Sequence, residues 1–236
     1  DTKIFVIVGV LAMASKYILA LGKKHLFNPA ALAIVLSAFL LGMPATWWVA
    51  GNLTLLPFVV IGGIMLVHKL RKFDLILAFT ATVVALVAYT SLNAVSGVLN
   101  MFIHSSIFFF AFVMLTEPLT MPPTRALRVA YGILVGALFI PAAHIGSFYF
   151  SPELALVIGN LLAYFASPKG RFMLALVERR PLASGIYEYI FRSDRKLRFK
   201  PGQYLEWTLG KVPFDNRGNR RFFTIASAPE QTVLAL

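Results

Sequence analysis

"HLFNPAALAIVLSAFLLG", His25–Gly42, is the stretch on which the fold turns. From Pro29 to Gly42 it is almost wholly apolar, and it opens with a helix-start signal. Asn28 can cap the first turn, and Pro29 suits the first helical position, where a missing N–H costs nothing. A helix needs about 20 apolar residues to cross a hydrocarbon core, and this one is shorter. A second stretch, "HSSIFFFAFVML" at His104–Leu115, is built the same way, with Ser105 or Ser106 as its cap.

Outward from these two, the apolar segments number seven: Ile4–Leu21, Pro29–Gly42, Trp47–Val67, Leu75–Leu92, Met101–Leu115, Leu127–Ala143 and Pro152–Ala166. Of the 236 residues 58% are hydrophobic and the mean hydropathy is +0.77, above the 45–50% apolar content usual for soluble domains. The loops alternate. Basic ones carry Lys23 and Lys24, then Lys69, Arg71 and Lys72, then Arg125 and Arg128, then Lys169 and Arg171; those between hold almost no Lys or Arg. Such alternation follows the positive-inside rule and, for a net charge of +12, is a simpler account than nucleic-acid binding. Trp47, Trp48, Phe148, Tyr149 and Phe150 fall where interface aromatics would. The expectation is an all-α polytopic membrane domain of about seven spans over residues 1–170, two of them short and of inverted-repeat type. It would be multi-pass in the cell inner (cytoplasmic) membrane, among lipid, with the tail in the cytoplasm.

Two short helices of opposite direction could point their N-termini at one buried ligand, since free N–H groups there favour carbonyl or anionic groups. They could equally be tilted packing helices. Thr116 and Glu117, in "MLTEPLTMPP", fall at the far end of the second helix, where Glu117 is either a solvated acid or holds a ring N–H. His25, His68, His104 and His144 form two pairs that could hold haem or simply sit at interfaces. The absence of cysteine excludes disulfides, thiolate clusters and a thiol nucleophile. No group of residues reads as a metal site.

After Glu178 the grammar changes to alternating strands, Tyr187–Phe191 and Tyr204–Leu209, broken at Ser193–Asp194 and Pro201-Gly202. Then comes "RRFFTIASAPE", Arg220–Glu230. "KPGQY" followed by Arg-x-Phe-Thr-x-x-Ser resembles the FAD-binding barrel of the ferredoxin–NADP reductase family, whose signature is Arg-x-Tyr-Ser-x-x-Ser. The resemblance implies FAD, with Arg221 on the pyrophosphate, Phe223 against the ring, Thr224 reaching the N5 edge, Ser227 supporting the turn, and Tyr204 nearby. An arginine fork matches phosphate oxygens, which gives the first assignment its physical sense. On this reading residues 171–236 are the first part of a partial antiparallel β-barrel. The nicotinamide domain is missing, and the chain is a piece of a longer protein in which FAD binding needs the rest.

The helical segments, in turn, resemble the membrane subunit shared by the sodium-pumping NADH:quinone reductase (its B subunit) and the Rnf complex (its D subunit). The shared features are the Asn-Pro-Ala helix start and the Ser-Ser…Thr116-Glu117-Pro118 segment. That resemblance implies an oxidoreductase. Electrons would pass from NAD(P)H through FAD to a second flavin, FMN or riboflavin, and on to a quinone or an extracytoplasmic acceptor. Asn28, Pro29, Ser105 and Ser106 would flank the second flavin, and Thr116 and Glu117 would line the route between it and the FAD. The family's flavin-attachment motif is lacking, so that flavin would be non-covalent. The alternative is an inverted-repeat transporter or channel with a regulatory flavin domain.

Overall fold

The computed structural model describes residues 2–21, 24–44, 52–167, 172–194, 197, 199–208, 220–231 and 233–235; for Thr2, Lys3, Leu21, Lys24, Glu206, Thr208, Arg220 and Arg221 the backbone alone is described. The chain divides into two compact units, Asp1–Pro168 and Lys169–Leu236.

The first unit runs α1 (Thr2–Ile18), the ribbon β1 (Ala20–Leu21) and β2 (Lys24–His25), α2 (Pro29–Leu41), α3 (Leu56–Leu70), α4 (Phe73–Thr90) and α5 (Ala94–His104). There follow the single turn α6 (Ile107–Phe109), a π-helix at Phe110–Met114, and α7 (Arg125–Phe139). The ribbon β3 (His144–Ile145) and β4 (Phe148–Tyr149) then leads into α8 (Pro152–Ala166). The caps are those the local sequence favours. The side chains of Asn28, Asn93, Thr124 and Ser151 each accept a backbone N–H of the first turn they precede.

α4 and α7 make the largest helix–helix contact. Two glycines four residues apart permit it. A Cβ on Gly132 would stand 2.9 Å from the Leu75 carbonyl oxygen, and one on Gly136 2.9 Å from that of Phe79. Gly159 does the same for α8, where a Cβ would lie 2.8 Å from the Tyr131 ring. Around these contacts Leu75, Phe79, Val83, Phe110, Val135 and Leu156 are fully buried. The rings of Phe79, Phe110 and Phe139 pack with centroids 5.5, 5.3 and 4.9 Å apart. α3 ends on Arg71 with φ 54° and ψ 48°, the one non-glycine residue of positive φ among those described. A left-handed conformation costs a residue with a Cβ about 1 kcal/mol that glycine avoids.

The seven-span expectation fails here. Helices α1, α2, α3, α7 and α8 have 17, 13, 15, 15 and 15 residues. At 1.5 Å per residue they reach roughly 20–25 Å, short of a hydrocarbon core of about 30 Å. Among the described residues only α4, with 18 residues, is long and apolar enough to cross a membrane. α5 with Ile107–Met114 would make a second only as one span bent by 69°. The unit is not all-α either, since two small ribbons interrupt it. The expected multi-pass inner-membrane placement, and the loop orientation drawn from it, are overturned with the span count. α2 and α8 fill their apolar runs, which were short already, whereas α1, α3 and α7 each stop short of one end of theirs. Trp47, Trp48, Lys23, Lys169 and Arg171 lie outside the described residues.

The second unit holds β5 (Leu174–Ala183), β6 (Ile186–Ser193), β7 (Tyr204–Thr208), β8 (Arg220–Thr224) and β9 (Leu234–Ala235). Among the described residues they form two antiparallel sheets, β5-β6-β9 and β7-β8, rather than one barrel. β5 begins ahead of Glu178, and its hairpin turns at Gly185 with φ 75°.

Candidate functional site

The tail motif is assembled by a turn. The Gln203 amide donates to the Lys200 carbonyl at 3.1 Å, and Gly202 has φ 83°. Pro201 and Gly202 thus occupy the two central positions of a type II turn, the second of which demands positive φ. The turn delivers Tyr204 to the start of β7. There it pairs directly with Thr224 of β8, followed by Leu205 with Phe223 and Glu206 with Phe222. The Ile225 amide extends the ladder to the Gln203 carbonyl at 3.2 Å. Two pieces of sequence about 20 residues apart therefore meet as one ribbon.

Alternation then sorts the motif between two faces. Tyr204, Phe222 and Thr224 line a cleft of about 400 Å³. The Tyr204 and Phe222 rings meet edge to face at 5.6 Å. Phe223 belongs to the opposite face, packed against Trp207 at 5.8 Å, and Trp207 against Phe191 at 4.7 Å. Arg221 lies in β8 opposite Trp207; its side chain is outside the description. Ser227 is buried, and its hydroxyl has no hydrogen-bond partner among the described residues. Phe222 escaped the motif-based reading, although its two-residue spacing from Thr224 places them on one face of any strand. Two aromatic rings and a hydroxyl at the cleft fit a flat heteroaromatic ring with polar edges.

In the helical unit the structure gathers a different polar group. The Asn28 amide donates to Asn160 Oδ1 at 2.8 Å, and Asn160 Nδ2 donates to the Tyr131 hydroxyl at 3.0 Å. Asn28 Oδ1 accepts from the Ala31 amide at 3.0 Å. Pro29 stands at the start of α2, where it has no N–H to offer. Close by in sequence, His25 Nε2 donates to Glu117 Oε1 at 3.0 Å, and the Thr120 hydroxyl donates to Glu117 Oε2 at 3.1 Å. Glu117 therefore holds a ring N–H, that of a histidine of this chain. Thr116 is buried and turns its hydroxyl back to the Phe112 carbonyl at 2.6 Å, within the π-helix segment. Ser105 and Ser106 stand at the other end of that segment, where the Ser105 hydroxyl donates to the Met101 carbonyl and accepts the Ile107 amide. α2 packs chiefly on α1 and α8, while α6 packs on α3. Both helix starts are thus capped by the protein itself. Asn160 and Tyr131 were missed in sequence, although an asparagine inside "LVIGNLLAYF" is itself a signal of a buried polar contact.

Replacing Glu117 with leucine strips two hydrogen bonds and leaves His25, itself buried, without its acceptor. The expected loss is about 2 kcal/mol of stability, read from denaturant unfolding; unchanged stability would mean the pair contributes nothing.

No protein-family model matches the chain, and comparison with curated proteins returns no match.

Proposed function

We propose that the chain belongs to a flavin-dependent oxidoreductase that takes electrons from NAD(P)H onto FAD at the β7–β8 ribbon. The observation that carries this reading is the direct pairing of Tyr204 with Thr224, with Phe222 beside them on the same cleft. It joins the two halves of the resemblance, "KPGQY" and Arg-x-Phe-Thr, in one place. FAD, when bound, supplies the ring that accepts and releases electrons; the protein supplies binding and orientation. Arg221, which alternates onto the Phe223 face of the ribbon, is given to the pyrophosphate by the resemblance alone, where its fork suits phosphate oxygens. Tyr204 and Phe222 offer the ring one aromatic wall. Thr224 donates a hydrogen bond from its hydroxyl to the ring's polar edge, and the resemblance gives Ser227, whose hydroxyl has no partner among the described residues, to the adjoining turn.

The onward step rests on the sequence resemblance alone. FMN or riboflavin, held non-covalently by the helical unit, would relay electrons to a quinone or another acceptor. That flavin is not assigned to the starts of α2 and α6, where the Asn28, Ala31 and Ile107 amides already bond to Asn160, Asn28 and Ser105.

Titration of FAD into the full-length protein, followed by flavin fluorescence, tests the tail site. Arg221→Ala weakens binding by about 2 kcal/mol, the loss of one charge-assisted hydrogen bond. Phe222→Ala weakens it too, and more than Phe223→Ala, whose ring is turned to Trp207. Equal affinity in wild type, Arg221→Ala and Phe222→Ala would overturn the FAD assignment.

A further inference from the structure

A second cleft, of about 470 Å³, lies in the helical unit and is lined by His68, Arg71, Phe73, Asp74, Arg125 and Arg128. Its charges are not equivalent. Arg128 is committed to the fold: Nε and Nη2 donate to Asp74 Oδ2 at 2.9 and 2.6 Å, and Nη1 donates to the Pro123 carbonyl at 2.6 Å. Arg71 and Arg125 are exposed, and among the described residues neither has a carboxylate within ion-pair distance. Three arginines against one aspartate leave the lining at a formal +2. Lys72, adjoining the cleft, answers to the same field: burial first, and then the Arg128 guanidinium, pull its pKa below the ordinary lysine range.

The backbone singles out Arg71. It closes α3 in the left-handed conformation that glycine adopts without strain. An arginine there works against stability while bringing a free guanidinium to the cleft wall. Strain of this kind collects at sites where the side chain serves something other than the fold.

We propose that this cleft binds a phosphate group between the Arg71 and Arg125 guanidiniums, with Arg128 and Asp74 as its fixed floor. Two free forks suit a phosphate, which offers several oxygens and up to two negative charges, better than a single carboxylate. The cleft is larger than one phosphate and leaves room for the group that carries it. The proposal is independent of the FAD reading, which concerns the other unit.

The test uses the purified full chain with two probes. Inorganic pyrophosphate is titrated calorimetrically, and co-sedimentation compares vesicles of phosphatidylcholine with vesicles also containing phosphatidic acid. Wild type binds pyrophosphate, the acidic vesicles, or both, and prefers them to phosphatidylcholine alone. Pyrophosphate binding alone marks a soluble phosphate ligand; preference for acidic vesicles without pyrophosphate binding marks a lipid headgroup. Arg71→Gly and Arg125→Ala each lower the affinity at least about 10-fold, as expected for a lost hydrogen bond to a charged group. Arg71→Gly meanwhile melts at or above the wild-type temperature, which separates ligand binding from folding. The idea is refuted if neither probe binds, or if both variants bind as wild type does.

Discussion

Replacing Asn160 by leucine lowers the stability of the helical unit by about 3 kcal/mol, on the reasoning that two buried polar groups lose their partner at once. Asn160 has no exposed surface and Asn28 is only 7% exposed, so water cannot take over. Leucine fills similar space but leaves the Asn28 amide unpaired beside an apolar side chain. It also removes the donor that reaches the Tyr131 hydroxyl. Each orphaned buried group costs about 1–3 kcal/mol, whereas a hydrogen bond made in exchange for water returns only about 1. Tyr131→Phe alone costs about 1 kcal/mol, because only the Asn160 Nδ2 is then left over. Urea unfolding of the two single variants and the double variant measures the coupling. The double should cost less than the sum, since the Tyr131–Asn160 bond can be lost only once. Wild-type stability in Asn160→Leu would mean that the network does not hold α2 to α8.

Gly136→Val destabilises by about 3 kcal/mol, for a steric reason. Its Cβ would sit 2.9 Å from the Phe79 carbonyl oxygen and 3.1 Å from Thr82 Cβ. The first obstacle is backbone, which cannot rotate away as the end of a side chain could, so α4 and α7 must separate. Separation opens voids around Phe79 and Val135, both fully buried. Overpacking usually costs about 1–3 kcal/mol, and the upper end applies where the helix axes themselves must move. Gly62→Val is the control, because nothing lies within 4 Å of a Cβ placed there. Thermal melts in which the two variants shift alike would show that the α4–α7 contact is not as tight as described.

Much of the local structure was legible in the chain. Asn28 as a cap, Pro29 at the first helical position, the Pro201-Gly202 turn and the strand grammar of the tail depend on a few adjacent residues, and backbone sterics decide them. The meeting of "KPGQY" with Arg-x-Phe-Thr was expected from a resemblance. The assignment of Phe222 to the cleft and Phe223 to Trp207 needed the β7–β8 register, because alternation says which residues share a face and not which face meets what.

Hydropathy by itself marked where apolar segments lie but not how long their helices run. An apolar run of 18 residues can be one long helix, or a shorter helix with a turn at its end, and composition is the same in both. Turns and ribbons at the ends, and the bend at Ser105–Ser106, left one described helix of span length where seven were expected. The tertiary structure also decided what the polar residues do. Glu117 faces His25, 92 positions away, and Asn28 faces Asn160, 132 positions away. No local rule pairs residues so distant. They meet because a buried amide or carboxylate must find a partner, and only the packed helices determine which partners are within reach.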